Sequence, residues 1–240
     1  MKFVKYIFST AIILVLIQGL LWAGDRATEK RSVKDFDSVH LTGSGELTIV
    51  QGNNESLVIE ADKKVLPYLK TVVKNGSLHL GFEKKFWYKP FKHHGPIIYR
   101  LELKNIDELH VSGSGDVVSK AIESDDLELH ISGSGTIKIN DLSTGDLEVH
   151  ISGSGECYLH GTAQEQSVYI SGSGDYEAGK LESQDVSVTI SGSGDATVWA
   201  EENLDIRVSG SGDVGYYGRP RISQRTSGSG DVHSHGDRHH

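Results

Sequence analysis

Apolar and polar residues alternate strictly over short stretches of the chain from residue 105 onward. The stretch LELHIS at 127–132 has leucine or isoleucine at its odd-numbered positions and glutamate, histidine or serine at the others. Residues 147–152 (LEVHIS), 186–191 (VSVTIS) and 204–209 (LDIRVS) repeat the pattern. Such alternation, rich in β-branched residues, predicts strands that are buried on one face. A second, shorter alternation follows each stretch, as in IKI at 137–139.

Gly-Ser-Gly triplets separate the longer alternation from the shorter one, and from residue 113 they recur every 18 to 20 residues. Glycine adopts positive φ without steric cost, so we predict that the glycine pair of each triplet bends the backbone between two strands. The predicted turn glycines are Gly113, Gly115, Gly133, Gly135, Gly153, Gly155, Gly172, Gly174, Gly192, Gly194, Gly210 and Gly212.

This periodicity indicates a stack of similar coils. Two short strands in about twenty residues cannot bury an apolar face alone, whereas coils stacked about 4.8 Å apart bury it against one another. We therefore predict an all-β fold, a right-handed parallel β-helix (solenoid) with coils of about 18–20 residues. The single cysteine, Cys157, excludes an intrachain disulfide, and its register places it inside the stack.

The regular coils are predicted to span residues 105–234. Residues 25–104 contain one triplet and less regular strands, so we expect an N-terminal β region that closes one end of the stack. The last coil has more polar residues at its inward positions, as a terminal coil should. Residues 235–240 form a His-rich tail without apolar partners, which we expect to be disordered.

The first 23 residues predict a secretory signal peptide. Lys2 and Lys5 precede an apolar run from residue 6 to residue 23, and a charged segment follows. The alternative is an uncleaved membrane anchor, because the run approaches the length that spans a bilayer. We expect cleavage near Ala23 and an exported protein, located in the periplasm, on the outer surface or in the medium, whose mature chain does not span the membrane.

The charge of the mature chain argues against one class of partner. Loss of the two lysines with the leader changes the formal net charge from −9 to −11. Nucleic acids are bound by basic surfaces, so we expect no nucleic acid partner. The expected partners are a cell-surface glycan or a protein of the cell envelope.

Histidine recurs three residues before a triplet, and glutamate recurs two residues before the histidine. His110, His130 and His150, with Glu128 and Glu148, are predicted to face outward from adjacent coils. Imidazole and carboxylate groups at that spacing can share a divalent transition metal or form a patch that titrates in mild acid. Because the side chains should run parallel rather than converge, we favour a solvated polar face, and we expect no metal and no cofactor.

An acidic residue follows most triplets directly, from Glu46 to Asp231, with Thr136 as an exception. Stacked carboxylates of this kind can bind calcium in other repeat proteins, where the period and the position of the aspartate differ. We interpret them here as solvated turn residues.

The stretch EKKFWYKPFKHHGP, residues 83–96, does not fit the repeat. Its aromatic residues Phe86, Trp87, Tyr88 and Phe91 lie among lysines. Such a composition suits sugar rings, anionic polymers or lipid headgroups. The other interpretation, which we favour, is a lid that covers the open end of the β-helix and prevents edge pairing.

The stretch FDSVHLTGSGELTIVQGNNESLVIEADKKVLPYLKTVV at residues 36–73, together with the later SGSGD coils, resembles the head GIN domain family. Members of that family are exported bacterial proteins described as "putative auto-transporter adhesins". The resemblance covers the chain from about residue 33 to its end and implies an all-β, β-helical domain in the cell envelope. It implies no catalytic residue, ligand or cofactor.

The sequence favours a non-enzymatic protein of the cell envelope, an adhesin or a surface scaffold that presents a rigid β-helix. We find no nucleophile, base and acid in a catalytic arrangement. The alternative is a carbohydrate-binding or carbohydrate-active β-helix protein, because β-helices also occur among polysaccharide lyases and glycosidases. Such enzymes wall a groove with long loops, and the turns from residue 113 onward are short.

Overall fold

The computed structural model describes residues 25–83 and 95–238, and in these ranges the chain is all β apart from one 3-10 turn at Leu66–Tyr68. The strands are β1 (Arg26–Arg31), β2 (Ser38–Gly43), β3 (Glu46–Gln51), β4 (Ser56–Asp62), β5 (Leu69–Lys74), β6 (Ser77–Phe82), β7 (Ile98–Leu103), β8 (Glu108–Gly113), β9 (Asp116–Ser119), β10 (Ile122–Gly133), β11 (Thr136–Gly153), β12 (Glu156–Gly172), β13 (Asp175–Gly192), β14 (Ala196–Gly210), β15 (Val214–Tyr217), β16 (Arg221–Gly228) and β17 (Val232–Ser234). Within these ranges, no helix has the length and apolar character needed to cross a membrane.

Successive coils stack in parallel and in register, so the predicted solenoid is confirmed. In the pairing of β10 with β11, His130 lies beside His150 and Gly133 lies beside Gly153. The same register continues through β12, β13 and β14. The inward positions form one continuous core of valine, leucine and isoleucine. Cys157 is fully buried between Ile137 and Tyr176, as the register predicts.

Each regular coil has a third extended segment, which the alternation pattern did not reveal. Ile122 pairs with Leu142, which pairs with Gly161 in the next coil and then with Leu181. The three apolar side chains of this short ladder are buried. The segment is too short to show a period of its own, because only one or two of its residues in each coil point inward.

The two glycines of a triplet have different roles. From Gly113 to Gly210 the first glycine of each triplet has φ between 118° and 149°, which L side chains rarely adopt. The second glycine does not have positive φ in these coils. A Cβ at Gly155 would lie 2.7 Å from the carbonyl oxygen of Gly135 and would overlap the side chain of Ile131. The predicted reason for glycine, a positive φ, therefore applies only to the first glycine of each triplet. The second glycine is needed because the turns of adjacent coils stack closely.

The N-terminal region contains one regular coil inside the stack. β2 pairs with β6 on one side and with β8 on the other, while β3 pairs with β7 and with β9. Beyond them the pairing becomes antiparallel, with β5 on β6, β4 on β7 and β1 on β4. These antiparallel strands form the N-terminal end of the solenoid, and the regular stack begins before residue 105.

The C-terminal coil is exposed. Every residue of β16 is exposed, including Ile222, Gln224 and Thr226, which continue the buried columns of β14. Residues 235–238, expected to be disordered, instead contact β15 of the preceding coil. The His235 N–H donates a hydrogen bond of 2.8 Å to the Tyr216 carbonyl oxygen, and the Arg238 guanidinium lies 4.2 Å from the Tyr217 ring centroid. Residues 235 and 236 continue the ladder of β17 along β15.

Candidate functional site

Six aromatic side chains form an outward row that crosses six adjacent strands. We call this set the ring row; it consists of His79, His40, His110, His130, His150 and Tyr169. Adjacent ring centroids are 4.8 to 5.3 Å apart. The planes of His130 and His150 differ by only 8°, so these two rings are stacked. The row exists because the strands are parallel and in register, which places equivalent outward positions one strand apart.

Sequence reasoning found three of the five histidines in the ring row. His40 was missed although it stands three residues before Gly43, as His110 stands before Gly113. The regular spacing of 18 to 20 residues begins only at Gly113, so it does not include the earlier triplet at Gly43. His79 precedes no triplet, so only the pairing of β6 with β2 places it in the row.

The expected glutamates lie beside the rings. Glu128 Oε1 is 2.6 Å from His130 Nε2, and Glu148 Oε1 is 2.7 Å from His150 Nε2. Each pair shares one strand, two residues apart, so the carboxylate reaches along the strand to its own histidine. These hydrogen bonds hold the Nε2 edges of both rings toward the carboxylates.

The N-terminal part of the ring row has a different network. The Ser38 hydroxyl donates a hydrogen bond of 2.7 Å to Glu108, and the same oxygen lies 3.1 Å from His40 Nε2. Glu108 is thus bound to a serine of the neighbouring coil, whereas Glu128 and Glu148 are bound to their histidines. The chemistry of the row therefore changes between β8 and β10.

Two histidines of the ring row have a lowered pKa and are therefore harder to protonate. Burial lowers the pKa of His110, and its neighbours His40 and His130 lower it further, while nearby glutamates act in the opposite direction. Burial also lowers the pKa of His79, with added effects from Lys70, His40 and Lys74. At neutral pH these two rings are therefore uncharged.

A shallow groove of about 500 Å³ runs beside the ring row and is lined mainly by carboxylates. Asp126 pairs with Asp146, which pairs with Glu165 in the next coil. Burial raises the pKa of Asp107 at one end of the groove, and the carboxylates of Asp37, Asp126 and Asp125 raise it further. The groove therefore has a strongly negative potential.

Three side chains of types that ligate metals come together where the groove meets the ring row. One ligand atom from each of Glu128, His130 and His150 lies within 4.8 Å of the others. His110 and Glu148, the other candidates from the sequence, are outside this group, although Glu148 is hydrogen-bonded to His150. The structure thus brings part of the predicted set together.

The acidic residues after the triplets have a structural use in the later coils. The backbone N–H groups of Asp195, Asp213 and Asp231 each donate a hydrogen bond to the carboxylate of the aspartate in the preceding coil, at 3.2, 2.8 and 2.8 Å. The carboxylates thus accept hydrogen bonds from the turns of the neighbouring coil. This role supports the interpretation of these residues as turn residues.

A second groove, of about 300 Å³, lies near the C-terminal end on another face. Its lining consists of Tyr158, His160, Glu177, Gly179, Lys180, Thr197, Tyr217 and Arg238. Burial lowers the pKa of His160, and the positive charges of Lys180, Lys138 and Arg238 lower it further. The groove combines two phenol rings with a local excess of positive charge.

Two sequence predictions lie outside the described residues. They are the signal peptide at residues 1–23 and the aromatic segment with Phe86, Trp87, Tyr88 and Phe91. In the chain, the aromatic segment lies between β6 and β7. Both remain predictions.

A parallel β-solenoid with in-register outward columns is a scaffold that repeats one surface pattern from coil to coil. The chain belongs to the family described as "Putative auto-transporter adhesin, head GIN domain", which matches residues 35–220. This match confirms the resemblance seen in the sequence. A comparison with curated proteins finds no match.

Solved structures of similar proteins cover nearly the whole chain. A "putative adhesin" from Bacteroides fragilis is 27% identical, with a TM-score of 0.80 over 88% of this chain and 96% of that one. A "putative adhesin" from Parabacteroides distasonis is 26% identical, with a TM-score of 0.71 over 90% and 98% of the two chains. Another from Parabacteroides merdae, 23% identical with a TM-score of 0.70 over 90% and 98%, shares the fold. The chain is therefore adhesin-like in both family and structure.

Proposed function

We propose that this protein is a non-enzymatic, exported adhesin that binds its partner through the ring row and the carboxylates beside it. The family and the two adhesin structures above 25% identity support the adhesin class. The predicted signal peptide supports export, to the periplasm, the outer surface or the medium. The partner is a cell-surface glycan or an envelope protein.

The observation that carries this proposal is the regular spacing of the ring row. Six rings at 4.8 to 5.3 Å make a stiff surface about five strand spacings long. Each ring packs against its neighbours in the row, which restricts its rotation, so little side-chain entropy is lost on binding. An extended partner can contact several rings at once, and such multiple contacts raise the overall affinity without any single strong site.

A glycan array probed with the protein starting at residue 24 tests this proposal, with labelled envelope protein extracts as a parallel probe. The double substitution His40→Ala and His110→Ala removes two rings and leaves the buried core intact. It should weaken binding at least about tenfold if these rings contribute to the contact. Lys120→Ala, an exposed change away from the row, is the matched control.

Binding that the histidine substitutions leave unchanged would exclude the ring row as the adhesive surface. Cleavage of a bound polysaccharide, seen as new reducing ends, would contradict the non-enzymatic assignment.

A second candidate function, carbohydrate binding in the groove near the C-terminus, is supported by the phenol rings of Tyr158 and Tyr217. Aromatic faces with nearby hydrogen-bonding groups suit sugar rings. The positive charges of Lys180 and Arg238 favour a sugar that carries a carboxylate or a sulfate. On the same array, Tyr158→Ala with Lys180→Ala should abolish binding to acidic glycans only, and loss confined to the ring-row variant would exclude this groove.

A further inference from the structure

The junction between the β10 and β11 coils differs from the rest of the ring row. Here two stacked imidazoles and a carboxylate bring three ligand atoms within 4.8 Å of one another. Glu148 lies outside this group, but its Oε1 is 2.7 Å from His150 Nε2, so it is a candidate for the fourth ligand. Among the described residues, this is the one group of three or more such side chains with ligand atoms this close.

The ligand types fit a transition metal. Imidazole nitrogen and carboxylate oxygen are common ligands of Zn²⁺, which takes four ligands in a tetrahedron at about 2.0–2.2 Å. At that bond length the ligand atoms lie about 3.3 Å apart, so the observed set must contract. The side chains of His130 and His150 are 24% and 36% exposed, which leaves both rings space to tilt toward a shared ion.

The carboxylates of Glu128 and Glu148 already lie beside the imidazole nitrogens that would bind a metal ion. The sequence suggested that outward side chains run parallel and cannot converge. In the structure each glutamate bends along its strand to the Nε2 edge of its histidine, at 2.6 and 2.7 Å. An ion placed between the two coils therefore replaces two hydrogen bonds with metal–ligand bonds, and each neutral imidazole then carries its proton on Nδ1 instead of Nε2.

The surrounding charge favours a dication. The junction opens into the acidic groove, whose lining includes Asp107, Asp126, Asp146 and Glu165. In-register stacking places like carboxylates one strand apart, which costs free energy unless a cation lies near them. A bound dication reduces that repulsion.

We propose that Glu128, His130 and His150, with Glu148 as the fourth ligand, bind one divalent transition metal ion of the Zn²⁺ type between two adjacent coils. The ion joins the β10 and β11 coils on their outer face. The ligands belong to the proposed adhesive surface, but metal binding is measured without a partner, so its failure and the failure of adhesion are distinguishable.

Isothermal titration with zinc chloride near neutral pH tests the proposal. The protein starts at residue 24 and carries asparagine in place of its tail histidines, His233, His235, His239 and His240, because His-rich tracts bind zinc by themselves. We expect one zinc ion per chain with micromolar affinity. His130→Gln and His150→Gln should each weaken binding at least about tenfold, since each removes a metal ligand.

His110→Gln is the matched control, because it removes a neighbouring ring that lies outside the ligand set. It should change zinc affinity less than about threefold if the site has the stated ligands. Histidine ring NMR signals give an independent readout, and those of His130 and His150 should shift together on zinc addition. Absence of zinc binding, or binding that His130→Gln leaves unchanged in a folded protein, would overturn the proposal.

Discussion

At the residue scale, the first glycine of each turn is the position least able to change. Gly153 has φ of 118°, and a Cβ there would overlap the carbonyl oxygen of Gly133 in the preceding coil. That oxygen accepts the Ser154 N–H at 2.8 Å, so it cannot move away without breaking a hydrogen bond between coils. A side chain at position 153 would therefore suffer both an unfavourable φ and a steric overlap.

We predict that Gly153→Ala lowers the free energy of unfolding by at least about 2 kcal/mol. The neighbouring change Ser154→Ala removes only an exposed hydroxyl and should cost less than about 0.5 kcal/mol. Urea denaturation followed by circular dichroism measures both. Equal losses for the two variants would contradict the separate role of the glycine.

Adjacent inward and outward residues of one strand allow a second matched pair of substitutions. Ile151 is 1% exposed, whereas Ser152 is exposed on the opposite face. Ile151→Asp buries an unpaired carboxylate and should cost several kcal/mol, of the order of a whole domain's stability. Ser152→Asp should leave the unfolding midpoint nearly unchanged. Soluble expression and thermal denaturation distinguish the two variants, and a stable Ile151→Asp protein would contradict the assignment of faces.

At the element scale, an ion-pair network joins three strands of the N-terminal end. Glu60 in β4 accepts hydrogen bonds from Arg26 in β1 at 3.1 Å and from Arg100 in β7 at 3.2 Å. Burial alone would raise the pKa of Glu60, but the hydrogen bonds and positive charges of the two arginines outweigh it and lower the pKa. A carboxyl group with a lowered pKa stabilises the fold above its unfolded-state pKa, and this stabilisation is lost as the pH falls through the folded-state value.

We therefore predict that Glu60→Gln destabilises the protein at neutral pH and has progressively less effect below about pH 4.3, where the carboxyl group of the unfolded chain becomes protonated. Urea unfolding of both proteins across this pH range measures the difference. A difference that stays constant as the pH falls would show that the arginines do not stabilise the charged form.

Some strands could be predicted from the sequence and others could not. Strands with three apolar positions in alternation, such as residues 127–133, were predicted because the pattern is long enough to have a period. The third ladder through Leu142 has too few inward residues to show one. The place of β2 between β6 and β8 was also not predictable, since periodicity describes one segment and not which distant segments pair. The histidines at 110, 130 and 150 were found because they share a repeat, and His79 was missed because it does not.

At the scale of the whole molecule, the solenoid has two unlike ends. β11, β12 and β13 are paired along both edges, and in the described part of the chain β16 is paired only with β14. In repeat proteins each coil is stabilised mainly by its neighbours, so local opening should begin at the coil with one neighbour. The antiparallel strands β1, β4 and β5 cover the other end.

We predict that hydrogen–deuterium exchange is fastest in β16 and β17, slower at the N-terminal end and slowest in β11–β13. Mass spectrometry of peptides from the exchanged protein measures this gradient. Replacing Val208 with alanine, beneath Thr226, should accelerate exchange in β16 before it affects β11. Uniform exchange along the stack would instead indicate that the solenoid opens as one cooperative unit.

The coil built from β2 and β3 is enclosed on both sides by strands that follow it in the chain. A ribosome makes the chain from its N-terminus, so this coil is delivered before either of its neighbours exists. This coil gains its first neighbours when β6 and β7 have been made, and its second neighbours only when β8 and β9 follow. From that point each new coil has a finished template beside it. The first coil is thus completed from both sides, whereas later coils are added one after another, and the last of them, which contains β16, keeps one open edge in the described part of the chain.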